Sequence, residues 1–460
     1  MLETTPNQPV SSLPLAPRNP LPYRRRLRAA RALDSGPELL RDTGGPVTRV
    51  VVGPKWLVPE MVFVLSPQGA HDVLLRRDGE ADRASLPMFV ELRQLLGGNL
   101  LNLPHEPWLP RRRALQPIFS KQRVTRMTEP IIEAAEQVSR QWPDMSTIDI
   151  ADEIRTMTVK ALSRSFLGLD LGAETDAVSS SMHHVFSWIA TRAVAPVRTP
   201  MWLPTPGQRR ARHGAAVLHH HAKAILQACR TDPTRDAPAV RAFMEARDPD
   251  TGITLSDNEI CDELVMFMFG GHDTISTTLT YALWALGRHP DIQERVAAEV
   301  MAIGDRPLTS EDIPRLGYTV QVLHESLRLY PPAPALPRMV REDIEVDGCR
   351  IEAGTFVIVS AFALHRDPAL WDDPLTFDPD RFGAQRSKAI DRWQYLPFSA
   401  GQHSCMGDHF AMLEATLALA TIVRDVAVTS AGDRFPTAMT LTIVADEPVR
   451  AQVRARKATG

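Results

Sequence analysis

Phe398-Ser399-Ala400-Gly401-Gln402-His403-Ser404-Cys405-Met406-Gly407 is the stretch on which the reading of this 460-residue chain turns. The cysteine stands directly ahead of a segment, roughly residues 406–424, whose pattern predicts a helix. A side chain there meets the positive end of the helix dipole and backbone N–H groups that lack intrahelical partners. Both favour thiolate over thiol, and the thiolate is the form that binds a metal. Gly401 and Gly407 let backbone amides approach the sulfur, and Phe398 can shield that face from water. Against this, a single cysteine in a globular chain is more often an inert small hydrophobe. Taken alone, the loop leaves both readings standing.

The rest of the composition narrows the field. The other cysteines, Cys229, Cys261 and Cys349, lie far apart, and no Cys-x-x-Cys pair suggests zinc or a redox disulfide. Such usage fits a reducing compartment. A net charge of -3 with 23% charged residues gives no signal for nucleic acid, and 44% hydrophobic residues fit a globular chain. No apolar run reaches the roughly 18 residues that span a bilayer. The expectation is a soluble, cytoplasmic protein without a transmembrane anchor. Its 6 Lys against 46 Arg point to a bacterial source of high GC content.

Residues 1–44 read as a Pro- and Arg-rich lead-in ending in a short basic helix, either a solvated arm or a membrane-surface element. Residues 45–460 read as a single domain. Segments 47–52 and 61–65 predict a hairpin around a Gly-Pro turn. Helical patterns then run to about residue 330, with loops expected at 85–110 and 194–207. A β-rich stretch including 355–360 follows, then a Pro- and Asp-dense segment at 366–400, the helix after Cys405, and C-terminal strands. Helices precede strands without regular alternation, so the fold class is mainly α with a smaller β-rich part, and a doubly wound sheet is disfavoured.

The longest predicted helix spans about 256–287. Ser256 and Glu259 form a capping-box pattern, and Arg288-His289-Pro290 stops the helix. Met266-Phe267-Met268-Phe269 is apolar on all sides, so this middle should be buried. Gly270 and Gly271 follow, each costing up to about 1 kcal/mol relative to Ala. Either they serve close helix packing, or something flat presses on the backbone and the helix opens locally. Asp273 and Thr274 come next. Thr274 can back-bond to a carbonyl one turn earlier and Asp273 can find an Arg, or the pair can pass protons to a reactive centre. The segment alone does not choose.

Together these segments resemble the cytochrome P450 family. The cysteine loop fits Phe-x-x-Gly-x-(Arg or His)-x-Cys-x-Gly at every fixed position. Glu325 and Arg328 match the family's Glu-x-x-Arg helix ahead of a Pro-Pro turn, and Phe377-Asp378-Pro379-Asp380-Arg381-Phe382 supplies the third member of that cluster, Arg381. Gly270-Gly271-His272-Asp273-Thr274 matches the oxygen-activation motif, in which His272 occupies the variable position. Trp108 and Arg112 match a heme-binding helix, although Pro107 and Pro110 flank Trp108 and suggest that the helix starts late. Arg338 and His403 match further partners of the heme carboxylates.

The resemblance implies heme b lying between the long central helix and the helix after Cys405, with Cys405 as the axial iron ligand. It implies that Gly270 and Gly271 open a groove beside the heme and that Asp273 and Thr274 supply protons to the reacting oxygen. It further implies a monooxygenase that uses O2 to hydroxylate or epoxidise a lipophilic, lipid-, terpenoid- or polyketide-like substrate. By position, the pocket would draw on Leu86, Met88, Phe89, Met266, Phe269, Ala335, Leu336 and Met439, with Trp202 and Leu203 lining an entry channel. Electrons would come from a separate ferredoxin or flavodoxin with its NAD(P)H-dependent reductase, docking where Arg111, Arg113, Arg386, Lys388 and Arg392 gather. An electron-independent heme isomerase and a heme-based sensor are the alternatives.

Overall fold

A computed structural model describes residues 9–53, 60–77, 79–142, 144–169, 174–193, 199–200, 202–439 and 441–456. The chain divides into two compact units. The first comprises residues 1–86, 333–376 and 388–405, and the second 87–332, 377–387 and 406–460.

The first unit is built on a five-stranded sheet in the order Val47–Val50, Met61–Val64, Phe356–Ser360, Ala335–Val340, Ala81–Asp82. The predicted hairpin is present as the antiparallel pair Val47–Val50 and Met61–Val64. Met61–Val64 runs parallel to Phe356–Ser360, which pairs antiparallel with Ala335–Val340. Met61–Val64 and Phe356–Ser360 are apolar on both faces, as strands covered on both sides must be. Side chains alternate: Val62, Val64, Val357 and Val359 pack with Leu74, Leu336 and Leu396. Phe63 and Ile358 face the opposite layer with Ala29 and Leu40. The basic helix is Tyr23–Arg31, and it is fastened to this unit through Arg26. That buried guanidinium donates to the carbonyls of Asn19 (3.0 Å) and Val51 (3.1 Å). In the Pro-rich stretch, where periodicity is lacking, side chains replace the backbone ladder. The Trp371 indole donates to the Leu364 carbonyl (2.9 Å), and the Leu396 amide donates to His365 Nε2 (2.8 Å).

The second unit is mainly helical. Its central helix, Asp257–Arg288, carries the predicted capping box at Ser256 and Glu259 and ends where His289 and Pro290 stop it. It packs against helices Ile150–Leu167, Pro206–Thr231, Gly317–Leu329 and Asp408–Asp425. Asp408–Asp425 is buried along most of its length, so apolar residues dominate all its faces. A three-stranded sheet of Thr147–Asp149, Arg450–Ala455 and Val426–Ser430 lies in this unit, as does the hairpin Ala438–Met439 with Ile443–Val444.

Two expectations need correction. The stretch 85–110 is not a loop: it contains helix Pro87–Leu96 and the start of helix His105–Leu115. The second helix does not begin late either. Pro107 falls in the first turn, where no amide donor is needed, and Pro110 is tolerated inside at the loss of one hydrogen bond. The expected loop at 194–207 lies partly outside the described residues, and helix Pro206–Thr231 begins within it.

Candidate active site

In the first unit, the cysteine loop is closed by its own backbone. The Cys405 amide donates to the Phe398 carbonyl (2.9 Å) and the Ser404 amide to the Gly401 carbonyl (3.1 Å). Gly401 has φ +72°, and a Cβ there would meet the Leu74 carbonyl oxygen at 2.2 Å. Only glycine fits, because of both its torsion and its neighbour. The loop leads Cys405 to a position three residues ahead of helix Asp408–Asp425. Cys405 is exposed, whereas Cys229 and Cys261 are buried. An inert hydrophobe would be buried, so its exposure speaks against that reading. A Cβ on Gly407 would meet nothing within 4 Å among the described residues, so protein packing does not explain that glycine. Phe398 is half-buried, His403 is buried, and Arg338 is buried on strand Ala335–Val340, donating to the Pro337 carbonyl (2.9 Å).

In the second unit, the two glycines of the central helix differ. A Cβ on Gly271 would come within 2.8 Å of Leu162 Cδ1, so this glycine serves close packing against helix Ile150–Leu167. A Cβ on Gly270 would meet only Met266 Cε, at 3.8 Å. That side of the helix offers space beside the backbone, as a bound planar group requires. The helix stays α-helical throughout rather than opening. Thr274 Oγ1 donates to the Gly270 carbonyl at 2.7 Å, the back-bond of one alternative above. Asp273, however, accepts a hydrogen bond from Thr442 Oγ1 (2.8 Å), and no Arg among the described residues ion-pairs with it. His272 is buried with its Nδ1 3.1 Å from Thr158 Oγ1, and burial lowers its pKa to about 4, so the ring is neutral at physiological pH.

Glu325, Arg328 and Arg381 come together in this unit. Arg328 binds Glu325 with two parallel bonds, Nε to Oε2 at 2.7 Å and Nη2 to Oε1 at 2.8 Å. The Asp378 amide donates to Oε1 (2.9 Å), and Arg381 Nε lies 3.4 Å from the same oxygen. Both members of the first pair are fully buried. Burial pushes the Glu325 carboxyl up, and the bonds from Arg328 pull it down.

Trp108 is buried and Arg112 half-buried on helix His105–Leu115. Central-helix acids hold the loop ahead of them, with Asp262 Oδ2 accepting from the Gly98 amide (3.0 Å) and Glu263 from the Leu100 amide (3.0 Å). Arg111 completes this clamp, ion-paired with Glu259 and Glu263. It is therefore withdrawn from the expected docking surface, a correction that follows from its burial. Arg113 is engaged too, gripping Asp248 at 2.7 and 2.8 Å, whereas Lys388 and Arg392 are exposed in the first unit. Sequence reasoning missed Glu263, Thr158 and Thr442, because nothing in their local pattern marks them.

Of the expected pocket residues, Leu86, Ala335 and Leu336 belong to the first unit, and Met88, Phe89, Met266, Phe269 and Met439 to the second. Phe89 and Phe269 are buried, with Phe269 stacked on Phe186, while Met88, Met266 and Met439 are half-buried. Trp202 and Leu203 are exposed. A separate cavity of about 780 Å³ in the second unit is lined by His213, Val217, His220, His221 and Ile225, among others, and contains none of these residues.

The first unit thus presents an exposed thiol at the end of a glycine-braced loop with buried Arg338 and His403, and the second presents Trp108, Arg112 and an acid-alcohol pair beside a glycine with open space. The chemistry of each of these donor sets suits an iron porphyrin. The cytochrome P450 family profile matches residues 26–454. The chain is 34% identical over 337 residues to cyclooctat-9-en-7-ol 5-monooxygenase of Streptomyces melanosporofaciens, covering 73% of each chain. It is 29% identical to pentalenene oxygenase of Streptomyces avermitilis, covering 78% of this chain and 81% of the relative. Among solved structures, a cytochrome P450DA heme domain superposes with a TM-score of 0.85 at 23% identity, covering 97% of this chain and 98% of that one, which supports the fold. The chain belongs to the cytochrome P450 family. It is accordingly a heme-dependent oxidoreductase of the monooxygenase type, using O2 and a redox partner. No helix among the described residues is long and apolar enough to cross a membrane.

Proposed function

We propose that the chain hydroxylates or epoxidises a lipophilic small molecule, and that the Cys405 thiolate would hold the iron of heme b. The observation that carries this reading is the exposed Cys405 thiol at the end of the glycine-braced loop, ahead of helix Asp408–Asp425. Bound there, heme supplies oxygen activation, which a thiolate ligand promotes. Trp108, Arg112, Arg338 and His403 would hold its carboxylates by charge-assisted and neutral donors. Phe398 and Gly407 would flank the sulfur. Asp273 and Thr274 hold and move protons at the face of the central helix that Gly270 leaves open. Half-buried Met88, Met266 and Met439 can contribute an apolar, adaptable wall.

Two relatives are named for cyclooctat-9-en-7-ol and pentalenene, which supports a terpenoid-like skeleton over lipids and polyketides. Electrons would come from a separate ferredoxin or flavodoxin with an NAD(P)H-dependent reductase, in the cytoplasm. Residues 45–460 are taken as the single catalytic domain and 1–44 as its lead-in. Cys405→Ser tests the ligand: the variant should lose the strongly red-shifted ferrous carbon monoxide band, and a surviving band would reject the assignment. Screening terpenoid-like compounds for a ferric spectral shift tests the substrate class. A shift seen only with lipids or polyketides would replace the terpenoid reading.

A further inference from the structure

We infer that Thr442 is a positioning residue that sets the orientation of the Asp273 carboxyl. The inference rests on the reading of Asp273 as a proton carrier. Thr442 precedes strand Ile443–Val444 and is buried, and its Oγ1 lies 2.8 Å from Asp273 Oδ2. Two further bonds fix the turn that carries it. Thr277 Oγ1, one helical turn beyond Asp273, donates to the Ile443 carbonyl (3.0 Å), and the Ile443 amide donates to the Pro332 carbonyl (2.9 Å). Thr442 is thus registered against the central helix independently of its own bond to Asp273. On another side, the His272–Thr158 contact ties the neighbouring residue to helix Ile150–Leu167. Positions 272 and 273 are therefore held from two elements at once.

The choice of a hydroxyl has chemical consequences. Arginine or lysine at this point would attract the carboxylate and bias it towards the charged form. A hydroxyl can donate to the carboxylate and, after rotating, accept from the carboxylic acid. Thr442 can therefore orient Asp273 in both protonation states, as a group that gives up and regains a proton requires. The same hairpin carries the half-buried Met439, which pairs with Ile443.

The test uses the heme-loaded enzyme with a surrogate redox pair and compares Thr442→Val, Thr442→Ala, Thr442→Ser and Asp273→Asn. Thr442→Val and Thr442→Ala should lower product turnover about ten-fold, 1.36 kcal/mol, and divert NAD(P)H electrons to peroxide. The substrate dissociation constant from the spectral shift should stay within about two-fold, since a positioning residue acts on kcat. The infrared C–O stretch of the ferrous carbon monoxide complex should move in Thr442→Val and in Asp273→Asn, and should return in Thr442→Ser. Melting temperatures report folding, and the alanine variant replaces the valine one if the latter does not fold. Parent-like coupling and C–O stretch in Thr442→Val, with an impaired Asp273→Asn, would overturn the role of Thr442 alone. An equally impaired Thr442→Ser would also overturn it, because shape rather than the hydroxyl would matter. A parent-like Asp273→Asn would instead remove the reading of Asp273 on which the inference rests.

Discussion

Glu325 and Asp273 are both carboxylates in the helical unit, and their surroundings differ in kind. Glu325 is fully buried and meets two arms of Arg328, the Asp378 amide and Arg381. Asp273 is half-buried, and the bond described for its carboxyl comes from one rotatable hydroxyl. A carboxylate surrounded by fixed donors is locked in one geometry, and so can brace a fold. One held by a single rotatable hydroxyl keeps a hydrogen-bond partner whichever oxygen carries a proton. On the proposed reading of Asp273, the contrast is between an acid that braces the fold and one that handles protons.

The largest effect should follow from breaking the locked site. Glu325→Ala leaves the buried Arg328 charge uncompensated and should cost about 3–5 kcal/mol, read by denaturant unfolding and by loss of heme-loaded protein. Activity lost without a change in stability would mean that the cluster is not structural.

Glu414 is another buried carboxylate and extends the comparison, since neither oxygen has a hydrogen-bond partner among the described residues. Burial raises its pKa to about 8. Between about 4.5 and about 8 the folded chain therefore keeps a proton that the unfolded chain has released. Its contribution to stability is present at low pH and declines as pH rises through that window, at up to about 1.4 kcal/mol per pH unit. Glu414→Gln should flatten the fall in melting temperature between pH 5 and 8. An unchanged profile would show that this carboxyl is ionised and partnered.

Asp273→Asn should lower turnover by about a hundred-fold or more while the melting temperature stays within a few degrees. A large loss of stability would place Asp273 with Glu325 after all. The smallest effect distinguishes the two glycines. Gly270→Ala should raise unfolding stability by up to about 1 kcal/mol from helix propensity while weakening substrate or heme binding. Gly271→Ala should give back that gain against Leu162. Equal effects on stability and binding would show that the space beside Gly270 has no function.

Much was legible along the chain because it is local. The capping box at Ser256 and Glu259, the stop at His289-Pro290, the hairpin at Val47–Val50 and Met61–Val64, and the i,i+3 pair Glu325–Arg328 each depend on residues a few positions apart. Cys405 ahead of its helix belongs with them. Helix Pro87–Leu96 and the early start of helix His105–Leu115 were not legible, because prolines that usually punctuate loops sit at the first turn of one and within the other. Arg111 read as a surface cation until the central helix supplied Glu259 and Glu263.

The sequence by itself therefore determined the reactive residue types, the order of elements and the family resemblance, since motif spacing and helix caps are short-range properties. Only the tertiary structure decided that Gly271 packs while Gly270 has open space, and that Asp273 answers to Thr442 across 169 positions. A partner that distant is chosen by how helices and a hairpin pack, and no local pattern carries that information.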